Sequence, residues 1–248
     1  MSDMLTTSIF GNVLFPSYAK IQDDKARLSR AYLKSTAMVF LVIAPVSIGL
    51  AVAAPLLVPV LLGQKWAPMI PLWQIFSLYG LTRPISTNSS PLFLATGQPR
   101  RNLTAGLLLL VVMLVFIFLL IEPYGTVGVA VAVAAAYTVT MFFNIFQVNQ
   151  ILPGTASRTI RQSMPFLFAG GLMAIGVIYA QDTIINLAGG ENALALVLII
   201  LFAAFIYLAA VLMLQRALIL ELYELTIVAL GFDRRWPRLL PAHLRTTK

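Results

Sequence analysis

The sequence predicts an all-α fold: a polytopic transmembrane helix bundle of six spans, preceded by an N-terminal remnant of another span. Three observations predict it. Hydrophobic residues make up 60% of the 248 and charged residues only 10%, with mean hydropathy +0.91, whereas a soluble domain carries about a quarter charged residues. Six apolar stretches reach the roughly 20 residues that a helix needs to cross the hydrocarbon core. Basic residues gather in alternate loops, as the positive-inside rule expects of cytoplasmic segments.

The opening stretch MLTTSIFGNVLFPSY is apolar but short and stops at Pro16. It lacks the basic n-region and small-residue cleavage site of a signal peptide, so residues 1–19 read as the last part of a span whose beginning is missing. Residues 20–216 then form a six-span lobe, with spans at about 36–62, 72–96, 102–121, 126–148, 163–181 and 193–214. The first full span carries Pro45, Pro55 and Pro59 with Gly49, and the second carries Pro84 and Pro91. Each internal proline deletes a backbone hydrogen bond and is expected to bend its helix. Two adjacent helices of this kind suggest either a moving part or a pair of static kinks.

The fourth span repeats small residues every four positions, at Gly128, Ala132 and Ala136, which makes a seam for close helix packing. Asn144, Gln147 and Asn149 follow at its far end. Asn144 reads either as part of the packing or as a substrate contact. Gly170 and Gly171 in the fifth span are expected to serve packing too. The tail, 217–248, alternates apolar residues with Glu221 and Glu224 before the basic FDRRWPR. It reads as a basic, amphipathic cytoplasmic segment lying in the interface with Trp236 at headgroup level, or as an extension of the last span.

Placing residues 16–35 in the cytoplasm puts all but two of the 17 Lys and Arg, namely Lys65 and Arg83, on that side. Glu122, Asp182 and Glu191 fall on the other side. The expected topology is therefore multi-pass with a cytoplasmic C-terminus. The formal charge of +8 then belongs to loops facing lipid headgroups and does not call for nucleic acid.

Catalytic signatures are missing from the sequence. It has no cysteine, which excludes disulfides and thiolate metal sites, and its one histidine, His243, stands alone in the tail. Asp23 and Asp24 sit in a basic loop, and no two carboxylates fall on one face of a span. Neither a phosphate-cradling glycine loop nor a nucleophile elbow occurs. The expectation is a protein that is not an enzyme and needs no cofactor or metal. A membrane polymerase of glycans is disfavoured because no outer loop is long enough for a catalytic site.

Arg83 is the exception, a charge near the middle of the 72–96 span. Such a residue costs about 3 kcal/mol or more at the bilayer centre and normally faces a bundle interior or an aqueous cavity. Ser86, Thr87 and Ser90 follow at +3, +4 and +7, one face of a straight helix, with Asn88 and Ser89 flanking it. Arg83, Ser86, Thr87, Asn88 and Ser90 are the candidate substrate-binding residues. A guanidinium among hydroxyls suits an anionic ligand, since it pairs bidentately with phosphate. The competing role for Arg83 is to cap carbonyls freed by the prolines and fix a kink.

Two stretches resemble a known family: FPSYAKIQDDKARLSRAYLKS, and APLLVPVLLGQKWAPMIPLWQIFSLYGLTRPISTNSSPLFLATGQPR. With the Phe-Pro pair before a short basic loop, the LLGQKW turn and the LATGQPR helix end, the chain resembles the bacterial polysaccharide flippases. These are the O-antigen and exopolysaccharide exporters of the multidrug/oligosaccharidyl-lipid/polysaccharide exporter superfamily. The likeness runs over about residues 8–150. It implies a bacterial inner-membrane transporter of two lobes, moving a polyprenyl-diphosphate-linked oligosaccharide by alternating access, with Arg83 near the diphosphate. This chain would match the C-terminal lobe of such a flippase, so that a missing N-terminal lobe or a second copy would complete the cavity. The alternatives are a multidrug-type exporter of the same superfamily and a non-functional truncated remnant.

Overall fold

The computed structural model describes residues 14–215. Most of the expected N-terminal remnant, the tail at 217–248 and His243 lie outside the described residues. Among the described residues every regular element is helical. The order is α1 (Lys25–Leu62), a 3-10 helix (Gln64–Met69), α2 (Ile70–Tyr79), a 3-10 turn (Gly80–Thr82), α3 (Arg83–Ala95), α4 (Arg100–Ile151), α5 (Thr155–Leu187) and α6 (Ala193–Leu214). Helices α1, α4, α5 and α6 are each long and apolar enough to cross a membrane. The chain is an integral membrane protein built as an all-α polytopic bundle. A second compact unit begins at Leu208, and its described part is the end of α6.

Helix α4 is a hairpin. Gly125 interrupts it with φ 56° and ψ −133°, a conformation that favours glycine. Arg101 Nη1 donates to the Gln147 carbonyl (3.1 Å) and to Gln150 Oε1 (2.7 Å). In a straight helix residues 101 and 147 would lie about 69 Å apart, so the chain must reverse. Its arms, 100–124 and 126–151, account for the spans expected at 102–121 and 126–148. Just past the turn a side chain on Gly128 would run into the Leu120 carbonyl, which is how tightly the arms close.

The stretch expected as one span at 72–96 is instead two helices joined by a 3-10 turn. Pro84 has no N–H to give the Gly80 carbonyl, and the Arg83 amide takes that acceptor instead, tightening one turn. Tyr79, Gly80, Thr82 and Arg83 all keep right-handed helical angles. The direction is therefore held, and 70–95 covers about 39 Å at 1.5 Å per residue.

Three prolines leave α1 a single helix of 38 residues. The carbonyls that Pro45 and Pro55 deprive of helical donors belong to Leu41 and Ala51. Tyr207 on α6 donates its hydroxyl to Leu41 O (3.0 Å), and Gln74 on α2 donates its carboxamide to Ala51 O (3.2 Å). In hydrocarbon, where water cannot serve, freed backbone groups need such partners.

The small-residue seam is buried as expected, with Ala132 and Ala136 fully covered, and it continues through Thr140 and Asn144. Gly170 packs on Ile48, but a side chain on Gly171 would meet open space. The packing role expected of Gly171 is therefore corrected. At the end of the bundle where α1 begins, Tyr18, Tyr32, Leu92, Phe93, Val148 and Leu152 form one core cluster. Ser29 and Thr155 hydroxyls meet there at 2.8 Å. The LATGQPR segment turns the chain at this same end. Gly97 at φ 68° lets the Gln98 amide reach back to Phe93 O (2.8 Å), and Pro99 caps α4 in a glycine-terminated helix stop.

Candidate functional site: a cavity along α3

A cavity of about 350 Å³ is lined by Arg83, Ser86, Thr87, Ser90, Pro91 and Leu94 of α3 and by Phe15. Those six α3 positions follow the 3-, 4-, 7-, 8- and 11-residue offsets of one helical stripe. The polar residues counted by turns from Arg83 therefore share a wall, although the Pro91 ring interrupts the backbone beneath it. All of them are part-exposed except Pro91, which is buried, and Leu94, which is exposed.

Asn88 does not join them. It is 0% exposed and turned into the bundle, where its Nδ2 donates to Pro84 O (2.9 Å) and its Oδ1 is buried without a partner. At +5 from Arg83 it lies about 140° around the helix from that residue, and its place among the cavity residues is corrected on that ground. Ser89 is likewise 0% exposed; its hydroxyl meets the Tyr32 hydroxyl at 3.3 Å and donates to Ile85 O at 2.8 Å. Ser89 thereby ties α3 to α1 through Tyr32, and both residues lie away from the cavity face.

Tyr79, the last residue of α2, stands one helical turn before Arg83 and packs against Tyr137 on the second arm of α4. The two tyrosine rings lie 4.6 Å apart, tilted by 58°. Nothing local in the sequence pairs them: Tyr137 sits in an alanine-rich stretch, and the hairpin of α4 is what carries it to Tyr79. Asn144 is buried in the seam, 6% exposed, and does not line this cavity.

Two further cavities frame the site. A polar one of about 270 Å³ opens at the basic end among Asp23, Lys25, Thr96, Gln98 and Gln150. Gln98 and Gln150 there are both held by Arg101. An apolar one of about 350 Å³ lies between Pro45 and Gly49 of α1, Met173 of α5 and Ile199 of α6.

Residues 1–71 match the family model described as polysaccharide biosynthesis protein. The chain is 25% identical over 183 residues to the lipopolysaccharide biosynthesis protein WzxC of Escherichia coli, an alignment covering 74% of this chain and 37% of that one. It is 24% identical over 138 residues to an uncharacterized membrane protein in the cps region of Klebsiella pneumoniae, covering 56% and 28%. It is 27% identical over 90 residues to the teichuronic acid biosynthesis protein TuaB of Bacillus subtilis, covering 36% and 19%. The aligned parts thus span between about a fifth and two fifths of these relatives' lengths. No solved structure matches the chain. The family model matched at the start of the chain and two of these relatives carry names of polysaccharide, lipopolysaccharide or teichuronic acid biosynthesis, and it is to proteins of that kind that the chain is similar.

Proposed function

We propose that the chain is a membrane transporter of polysaccharide biosynthesis that moves a lipid-linked oligosaccharide, of the polyprenyl-diphosphate type, across the bacterial inner membrane by alternating access. The observation that carries this reading is the strip of Arg83, Ser86, Thr87 and Ser90 along one cavity near the middle of the 70–95 stretch. A guanidinium stays charged in such a place and can grip two phosphate oxygens at once, while the hydroxyls offer donors to the rest of the headgroup. The cost of holding an arginine at mid-membrane is offset when an anionic diphosphate arrives. No bond of the cargo is made or broken, so the role is that of a transporter and not of an enzyme. The cavity is open, and a second lobe or a second copy of the chain closes it. The basic residues at the starts of α1, α4 and α5 support a cytoplasmic side for that end, and with it a cytoplasmic C-terminus, by the positive-inside rule.

The test is complementation of a strain lacking its polysaccharide flippase, with the chain expressed alone and together with an N-terminal lobe from a relative. Surface polysaccharide should return with one of the two. It should fall about tenfold or more when Arg83→Ala removes the phosphate grip at equal membrane abundance. Full surface polysaccharide from Arg83→Ala would end the diphosphate reading.

A further inference from the structure

We infer that Tyr79 and Tyr137 form an aromatic platform for a sugar ring one helical turn before Arg83, so that the site recognises the first saccharide of the cargo as well as its diphosphate. The inference deepens the reading of the chain as a transporter of lipid-linked oligosaccharide and rests on it.

The pair brings together residues from separate elements, Tyr79 at the end of α2 and Tyr137 on the second arm of α4, with ring centroids at 4.6 Å. Both rings are part-exposed. Tyrosines of membrane proteins concentrate at the interface, where the phenol meets water. These two are set near mid-span, one of them a single turn from an arginine, where a phenol hydroxyl needs a polar partner. Ala134, Ala135 and Ala136 precede Tyr137 and Thr138 follows it, and none of these side chains is large enough to cover the ring.

The chemistry of the cargo matches this layout. A pyranose offers one face of C–H groups, which packs on an aromatic ring, and a rim of hydroxyls, which need donors and acceptors. Tyrosine supplies an apolar body with a polar tip. Tyr79 stands one helical turn from Arg83, a rise of about 6 Å. That is the order of the step from a diphosphate to the ring of the sugar it carries. Tyr79 lies one turn before Arg83 with its ring against Tyr137, so platform and cation stand side by side. An anion drawn to Arg83 thereby brings its sugar against the rings.

The experiment is equilibrium binding to the purified chain in lipid nanodiscs of two probes, farnesyl diphosphate and farnesyl-diphospho-N-acetylglucosamine. The unaltered chain should bind the sugar-bearing probe about five- to tenfold tighter. Tyr137→Leu should bring the two affinities to within about twofold while leaving farnesyl diphosphate binding unchanged, and Tyr137→Phe should keep most of the preference because it keeps the ring. Unchanged farnesyl diphosphate binding also shows that the variant is folded; if the leucine variant does not accumulate, Tyr137→Met takes its place. An unaltered chain without sugar preference, or a leucine variant that retains it, would overturn the platform. Arg83→Ala separates the two readings. If it binds both probes as the unaltered chain does, the diphosphate reading fails, whereas loss of sugar preference in Tyr137→Leu would still establish the platform.

Discussion

Tyr207 and Gln74 each answer a carbonyl that a proline orphaned, at 3.0 Å and 3.2 Å respectively. The sequence announces the prolines but not their remedies, because the donors come from helices far along the chain. Interhelical hydrogen bonds in membranes contribute about 0.6 kcal/mol on average and about 1.7 at most. Tyr207→Phe keeps the ring and removes only the donor, so it should lower stability by about 0.6–1.7 kcal/mol, read as a small fall in melting temperature in detergent. Gln74→Leu should do the same, and the double variant should be close to additive because the two carbonyls are separated by ten residues of α1. No loss in either variant would mean that the freed carbonyls find other partners. The same scale explains which candidate residues were legible. Ser86, Thr87 and Ser90 follow from Arg83 by helical offsets alone, and the same counting sets Asn88 on the far side of α3, where it is 0% exposed. Tyr79 follows by the same counting, one turn before Arg83, whereas Tyr137 obeys no local rule and only tertiary folding brings it to Tyr79.

Among the elements, the α4 hairpin was the most legible, since Glu122, Pro123 and Gly125 punctuate two apolar stretches of spanning length. The break at 80–82 was not legible in detail. Pro84 signals a lost hydrogen bond, but whether the helix stops, kinks or tightens depends on what packs beside it. Here Gly80 lies directly against the Ser47 side chain of α1, leaving no room for a wide bend at that point. The hairpin makes a sharper prediction. A methyl group on Gly128 would strike the Leu120 carbonyl, which is backbone and cannot step aside like a flexible side chain. Gly128→Ala should therefore cost about 1–3 kcal/mol, the usual range for overpacking, and reduce the amount of folded protein recovered from membranes. Gly106→Ala is the control, because its added methyl would meet nothing within 4 Å; it should be neutral or slightly stabilising through helix propensity. Equal losses in both would point to a general intolerance of α4 and not to the closeness of its arms.

At the scale of the molecule, charge asymmetry and helix connectivity make independent statements about topology. Connectivity puts the start of α1 and the start of α5 at one end, because Ser29 and Thr155 touch at 2.8 Å. The Arg101 bonds to Gln147 and Gln150 bring the open ends of the α4 arms together, and the core shared by Leu28, Phe93 and Val148 joins them to α1. Lys25, Arg27, Arg100, Arg101, Arg158 and Arg161 all fall near that end, while Glu122 marks the tip of the α4 hairpin and Glu191 the α5–α6 turn. A chain with no cysteine allows this to be read with single introduced thiols. In intact cells, a membrane-impermeant maleimide should label Glu122→Cys and Glu191→Cys, both exposed, once the outer permeability barrier is opened. Arg100→Cys and Arg158→Cys should stay unlabelled until the inner membrane is broken. Each basic-end substitution removes one positive charge from a loop that keeps others, so the orientation itself should survive it. The opposite labelling pattern would invert the chain. Arg83 would remain at mid-span, but the end of its cavity near Leu94 would face outward, and the direction in which a lipid-linked cargo enters would have to be reversed.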